Sequence, residues 1–179
     1  MNRLPDLYAI RMAELEGSAA YLHGNRLGSV LVVKGIPGDV ERLGNPPFFG
    51  PDGEALSSAF EALGWGAKNW CGLLLAPVGE APLSAERLRW LIETIDPRVI
   101  LAVDRAAATE IVSCYYKSNS AAATEAEYEF AASRLKAGST SYVFGRQLGF
   151  VDGFETMLKV AQSRQQAWAQ LKILRKGPF

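Results

Sequence analysis

SVLVVKGIPGDVERLGNPPFFGPDGEALSSAFEAL, residues Ser29 to Leu63, is the stretch on which the reading of this chain turns. Val30, Leu31, Val32 and Val33 form a short continuous apolar run, the pattern of a strand covered on both faces. The run stops at Gly35-Ile36-Pro37-Gly38, where proline removes a backbone donor and glycine admits dihedrals closed to other residues. A loop rich in Gly, Pro and Phe follows. Asp52 is placed to cap the next helix, and Gly64 to close it at the C′ position. Open α/β sheets put their ligands in loops after the carboxyl ends of buried strands. Long loops in compact domains are usually functional. The search for function therefore begins between Gly35 and Gly53.

The pattern repeats downstream. Trp70 to Leu75, WCGLLL, reads as a second buried strand, with Gly72 marking a close backbone approach. Ser84 caps a helix to about Ile95, which Asp96-Pro97 ends. Val99 to Val103, VILAV, is a third strand, and Asp104 caps an alanine-rich helix through about Cys114. Upstream, residues 5 to about 16 suit a helix, and Gly17 to Gly28 a loop carrying the single histidine, His23. Beyond a polar loop, Lys117 to Ala122, the expectation is an amphipathic helix over 123–136 and a fourth strand, STSYVF, from Ser139 to Phe144. Asp152 and Glu155 have the spacing of a capping box before a long helix from about Gly153 to Leu174. Strands alternating with helices imply right-handed crossovers and a parallel sheet. The fold class expected is α/β: one three-layer α/β/α domain spanning 1–179, around a mainly parallel sheet of about four strands.

Composition narrows the function classes. With 19 basic and 19 acidic residues the formal net charge is zero, so no global field draws the chain to nucleic acid or an anionic membrane. Two cysteines, Cys71 and Cys114, exclude a disulfide framework and a four-cysteine cluster, and read as buried thiols of a reducing cytosol. One histidine excludes two-His metal sites, and neither a P-loop, a dinucleotide fingerprint nor a nucleophile elbow occurs. No metal or cofactor is expected. No apolar run approaches the ~20 residues of a membrane span, and MNRLPDLYAI lacks the apolar core of a signal peptide. A cytoplasmic location is expected.

Candidate chemistry concentrates in the Gly35–Gly53 loop. Asp39 and Glu41 are candidates to orient or deprotonate a water, and Phe48 and Phe49 to stack on a planar ligand; the alternative is solvated or capping acids and core phenylalanines. From Lys159 to Lys176 the chain is basic without an acid. Lys172, Arg175 and Lys176 there are candidates for a nucleic-acid backbone, or cations near a helix C-terminus.

The same loop resembles the uracil-DNA glycosylase superfamily, in particular its family 4-like branch. Val33-Lys34-Gly35-Ile36-Pro37-Gly38 is similar to that branch's first motif, Gly-Glu-Ala-Pro-Gly. Pro47-Phe48-Phe49-Gly50-Pro51-Asp52-Gly53 is similar to its Gly-x-Pro-Phe-x-Gly-x-x-Gly segment, and LRWLIETIDPRVILAVDRAAA, Leu88 to Ala108, to its helix–strand–helix. The three segments lie between Val33 and Ala108. The resemblance implies a base flipped from the stack and hydrolysis of its glycosidic bond. It implies substrate contacts at Gly35, Pro37, Gly38, Phe48 and Gly50, with Phe48 stacking on the base. The family's first-motif acid is replaced by Gly35, no Asn follows the second strand, and Gly149 to Leu158 holds no His. The family 4 cluster cysteines are also missing. Asp39 or Glu41 then stands in as the water-positioning acid, and Asp152 occupies the late-motif region. The expectation is a divergent glycosylase-like protein binding DNA or a nucleobase. The alternative is a catalytically inactive module on the same scaffold, binding DNA or, through an apolar patch over Phe144 to Leu158, another protein.

Overall fold

The apolar runs assemble into one six-stranded mixed sheet in the computed structural model, which describes residues 7–119, 136–143 and 145–174. The strands are β1 (Leu22–Gly24), β2 (Val30–Lys34), β3 (Trp70–Leu74), β4 (Val99–Ala102), β5 (Thr140–Val143) and β6 (Arg146–Phe150), in the order β1-β3-β2-β4-β6-β5. Neighbours from β3 to β6 run parallel, and the edge strands β1 and β5 are antiparallel.

This corrects the expected sheet of about four mainly parallel strands. β1 is three residues long, too short to register as a periodicity, and lay hidden in the Gly17–Gly28 loop. STSYVF supplies an edge strand, while the strand beside β4 is RQLGF, whose Arg, Gln and Gly mask its apolar pattern.

Helices cover both faces. They are α1 (Leu7–Glu16), α2 (Asp39–Arg42), α3 (Pro51–Ala62), α4 (Ala85–Ile95), α5 (Arg105–Asn119), α6 (Phe154–Leu158) and α7 (Ala161–Leu174). Alternate residues of β2 point to opposite faces. Leu31 and Val33 join a core with Leu88 and Leu91 of α4 and Ile111 of α5. Val30 and Val32 join another with Leu56 and Phe60 of α3 and Leu171 of α7. The three valines and one leucine of β2 are at most 1% exposed, each burial contributing roughly 1.5–3 kcal/mol. Ser84 caps α4 by accepting from the Arg87 N–H, Asp104 accepts from the Ala107 N–H at the start of α5, and Gly64 follows α3 at φ +80°.

Other local expectations change. Gly50 is the N-cap of α3 and Pro51 its first residue, so Asp52 lies inside the helix. The Asp152–Glu155 capping box does not form, because Gly153 is the N-cap and has no side chain to offer. The long last helix is two, interrupted at Lys159–Val160. α5 continues to Asn119, through the start of the expected polar loop. The helix expected over 123–136 falls, but for its last residue, outside the described residues. The expected patch over Phe144 to Leu158 is largely interior: Leu148, Phe150, Val151 and Phe154 are each at most 2% exposed, because β6 is an inner strand. Phe144 is outside the described residues.

Chain direction fixes where a ligand belongs. From β2 the chain crosses to β3 on one side, then returns past β2 to β4 on the other. The strand order reverses between β2 and β4, so a crevice opens beyond their carboxyl ends.

Candidate functional site

Lys34 is the last residue of β2 and ends the buried run. A lysine there must carry its charge into the interior or find partners for it. Its side chain is 3% exposed, and its Nζ donates to Asp52 Oδ2 at 2.5 Å, Glu41 Oε1 at 2.8 Å and Glu155 Oε2 at 3.2 Å. The three carboxylates come from α3, α2 and α6, so one ammonium ties three elements to the sheet. Burial alone would lower the Lys34 pKa, but hydrogen bonds to Asp52 and Glu41 outweigh it and hold the group above its ordinary value. Burial likewise pushes Glu41 upward, but the bonds from Lys34 and from the Phe48 N–H hold it below the usual carboxylate range.

Glu41 is fully engaged. Oε1 accepts from Lys34 Nζ and from the Phe48 N–H at 2.9 Å, while Oε2 accepts from the Gly38 N–H at 2.9 Å. It is 3% exposed. Asp39 lies two residues away yet in a different environment. Its carboxylate is exposed and pairs with Lys159 at 3.3 Å and Arg42 at 4.0 Å. The two sequence candidates for a water-positioning acid thus part company, one sealed inside and one at the surface.

The glycines of the loop serve close packing. A Cβ on Gly38 would collide with the Glu155 carboxylate, and one on Gly35 would meet Ala106, Ala107 and Asp104 at the start of α5. Asp104 explains that second approach. Its Oδ2 accepts from the Gly35 and Ile36 N–H groups at 2.8 and 3.3 Å, while Oδ1 accepts from the Ala107 N–H at 2.8 Å. One carboxylate so satisfies the turn after β2 and the first turn of α5.

Beyond β2 and β4 lies a cavity of about 390 Å3. Pro37 and Gly38 line it, with Lys34 and Glu155 at its inner end and Asp39 at its rim. Its charged lining is balanced: Lys34, Arg42, Arg105 and Lys159 against Asp39, Asp104, Asp152 and Glu155. No aromatic side chain lines it among the described residues.

Phe48 and Gly50 are elsewhere. Both line a second hollow of about 660 Å3 between β1, β3 and the start of α3. Phe48 is only 3% exposed. Its ring lies edge-on to Trp70 at 5.7 Å, under the Lys34 ammonium at 4.9 Å and against Gly72, where a Cβ would sit 2.5 Å from it. Its backbone holds φ +59°, a strained value for a residue with a Cβ. Phe49 is 60% exposed, with His23 edge-on at 6.1 Å. The expected frame of Pro37, Gly38 and Phe48 is therefore divided between two hollows.

Lys172 is exposed on α7, its Nζ 5.6 Å from the Trp168 ring centre. Two residues on, the Leu174 carbonyl accepts from Gln147 at the amino end of β6. Lys172 therefore sits at the opposite end of the sheet from the cavity. Arg175 and Lys176 lie outside the described residues. Cys71 and Cys114 are buried thiols, which burial pushes up to about 12. Among the described residues no group of three or more His, Cys, Asp or Glu is arranged to hold a metal ion, and no helix is long and apolar enough to cross a membrane.

Sequence reasoning missed Lys34, read Asp104 only as a helix cap and Glu155 only as half of a capping box. Lys34 carried a signal, since a charge ending four fully apolar residues needs acids nearby, and Glu41 and Asp52 lie in the following loop and helix. Glu155 carried none, because 121 positions separate it from its partner. No family model matches the chain, and no curated protein does either.

Proposed function

We propose that this protein is a binding module on a uracil-DNA glycosylase-like scaffold, one that takes a small polar ligand such as a free nucleobase and does not hydrolyse a glycosidic bond. The observation that carries this is the state of Glu41. A general base must reach a water, and both Glu41 oxygens are taken by Lys34, Phe48 and Gly38 in a site closed to solvent. Asp39 points to solvent among cations, and the Phe48 ring is buried beneath Lys34 and beside Trp70.

The ligand site on this reading is the 390 Å3 cavity, inside the range of ~300–1,000 Å3 common for small-molecule sites. Its alternating cations and carboxylates offer both donors and acceptors, which suits an uncharged heterocycle with N–H and C=O edges. Its balanced charge does not favour a polyanion. Binding to a DNA strand remains the second reading, resting on the exposed Lys172 at the far end of α7.

Incubation at high protein concentration with uracil-containing single- and double-stranded DNA is expected to leave every strand intact. Cleavage above a protein-free control overturns the non-hydrolytic reading. Uracil, the other bases and a short DNA strand are then compared by thermal shift, where a ligand stabilises as RT ln(1 + [L]/Kd). A shift with at least one free base and none with the strand is the expected result. A salt-dependent shift with the strand alone, abolished by Lys172→Ala, moves the function to DNA. No shift with any base ends the nucleobase reading.

A further inference from the structure

We propose that the segment from Asp152 to Lys159 is a salt-latched lid over the cavity beyond β2 and β4. The inference deepens the binding reading above and rests on it for its purpose, though not for its test.

Three ion pairs fasten this segment across the cavity. Asp152 meets Arg105 at the start of α5 at 3.3 Å, Glu155 meets Lys34 at the end of β2 at 3.2 Å, and Lys159 meets Asp39 of α2 at 3.3 Å. Glu155 and Lys159 are four apart, the spacing that brings side chains to one side of a helical turn, and Asp152 stands just ahead of the Gly153 N-cap. All six partners line the cavity. The segment therefore closes over the hollow with one side, and every anchor on that side is ionic.

The anchors differ in strength. Asp152 and Arg105 are 44% and 57% exposed, and Asp39 and Lys159 are 73% and 64% exposed. Such pairs are weak and screened by salt. Glu155, at 31%, is the only half-exposed member of the Lys34 cluster, whose other members are at most 5% exposed. Lys34 keeps Asp52 and Glu41 when Glu155 departs, so release leaves no bare charge behind. The amino end of the lid is fixed by apolar burial and by the sheet. Phe154 is 2% exposed, and the Val151 and Phe154 N–H groups donate to the Ala102 and Val103 carbonyls at 2.9 and 3.1 Å. The other end is the break between α6 and α7, where Val160 is 54% exposed. Between these two points the half-buried Met157 and Leu158 rest on the outer edge of the second core, so a swing of Glu155 to Lys159 lifts these two side chains and leaves Phe154 in place.

The test needs no ligand. Amide hydrogen exchange of the full chain is followed at about 0.01 M and about 1 M salt, between which the screening length falls from ~30 Å to ~3 Å. Exchange at Glu155 to Lys159 is expected to quicken about fivefold or more at high salt, with β2 and β4 unchanged. Glu155→Gln is expected to give the fast rate at low salt already. As a second measurement, Val103→Cys places a thiol in the cavity wall, and its alkylation is expected to follow the same salt dependence. The native Cys71 and Cys114, both buried, report global opening in the same sample. Lid exchange that ignores both salt and Glu155→Gln overturns the proposal. So does lid exchange that accelerates only together with β2 and the two native thiols. Because neither readout uses a base, failure to bind bases leaves the lid standing, and a rigid segment leaves the binding site standing.

Discussion

Lys34 and Arg146 are each gripped by two or more acids, and they stand at opposite ends of the sheet. Lys34 closes β2 at the carboxyl end. Arg146 opens β6 at the amino end, donating to Glu93 at 2.8 Å and Asp96 at 2.9 Å, while the Tyr115 hydroxyl also donates to Glu93. The partners of Lys34 include two acids at most 5% exposed, whereas Glu93 and Asp96 are 43% and 68% exposed. Burial makes the difference. Arg146 is itself 11% exposed, but water can reach Glu93 and Asp96 when it is lost. Around Lys34 water has no such access, and the loss of that lysine strands Glu41 and Asp52.

The contrast sets the order of the expected effects. Lys34→Met leaves Glu41 and Asp52 buried without a counter-charge, which costs about 3–5 kcal/mol and lowers Tm by roughly 6–20 °C. Arg146→Met, measured by the same thermal unfolding, costs roughly 1 kcal/mol after allowance for solvent screening. Equal losses break the comparison. Gly72→Ala drives a methyl group into the Phe48 ring beneath Lys34 and costs about 1–3 kcal/mol by overpacking. Chemical denaturation of that variant sharpens the comparison, because it disturbs the cluster without changing a charge.

Acidity separates the ends as well. The folded-state pKa of Glu41 is lowered, so its contribution is present above the ordinary value of 4.5 and is lost as pH falls through the folded value. The folded-state pKa of Lys34 is raised, so its contribution is present below 10.5 and is lost as pH rises through the folded value. Stability measured against pH is expected to fall at both limits, and Glu41→Gln to flatten the acid limb while keeping the alkaline one. Arg146 adds no alkaline limb, because a guanidinium keeps its proton throughout. The smallest effect belongs to Asp96→Asn, within about 0.5 kcal/mol by denaturant titration.

Much of the fold was legible because its inner strands are plain apolar runs. VLVV, WCGLL and VILA each announce burial on both faces, and Ser84, Asp104 and Gly64 mark their helix ends by local chemistry alone. RQLGF was illegible for a physical reason. Gln147 is buried, yet it donates to the Leu174 carbonyl, so a polar residue in an inner strand is satisfied by a helix end 27 positions away. Asp52 misled in the opposite sense, because an acid near a helix start fits a cap and an ion pair equally, and the buried lysine decided between them. The Gly35–Gly53 loop, singled out from the sequence, supplies Glu41 and Asp52 to the Lys34 cluster. What it builds there depends on Glu155, which only the return of the chain through β6 delivers.

Asp104 has one more consequence. Amides at a helix start ordinarily welcome an anion, but in this chain a carboxylate of its own already fills that berth beside Gly35 and Ile36. Phosphate esters approaching the crevice meet a resident rival with the same charge, whereas their dephosphorylated counterparts do not. A screen of nucleotides against nucleosides and bases should therefore rank compounds inversely to their phosphate count, and Asp104→Asn should blunt that ranking.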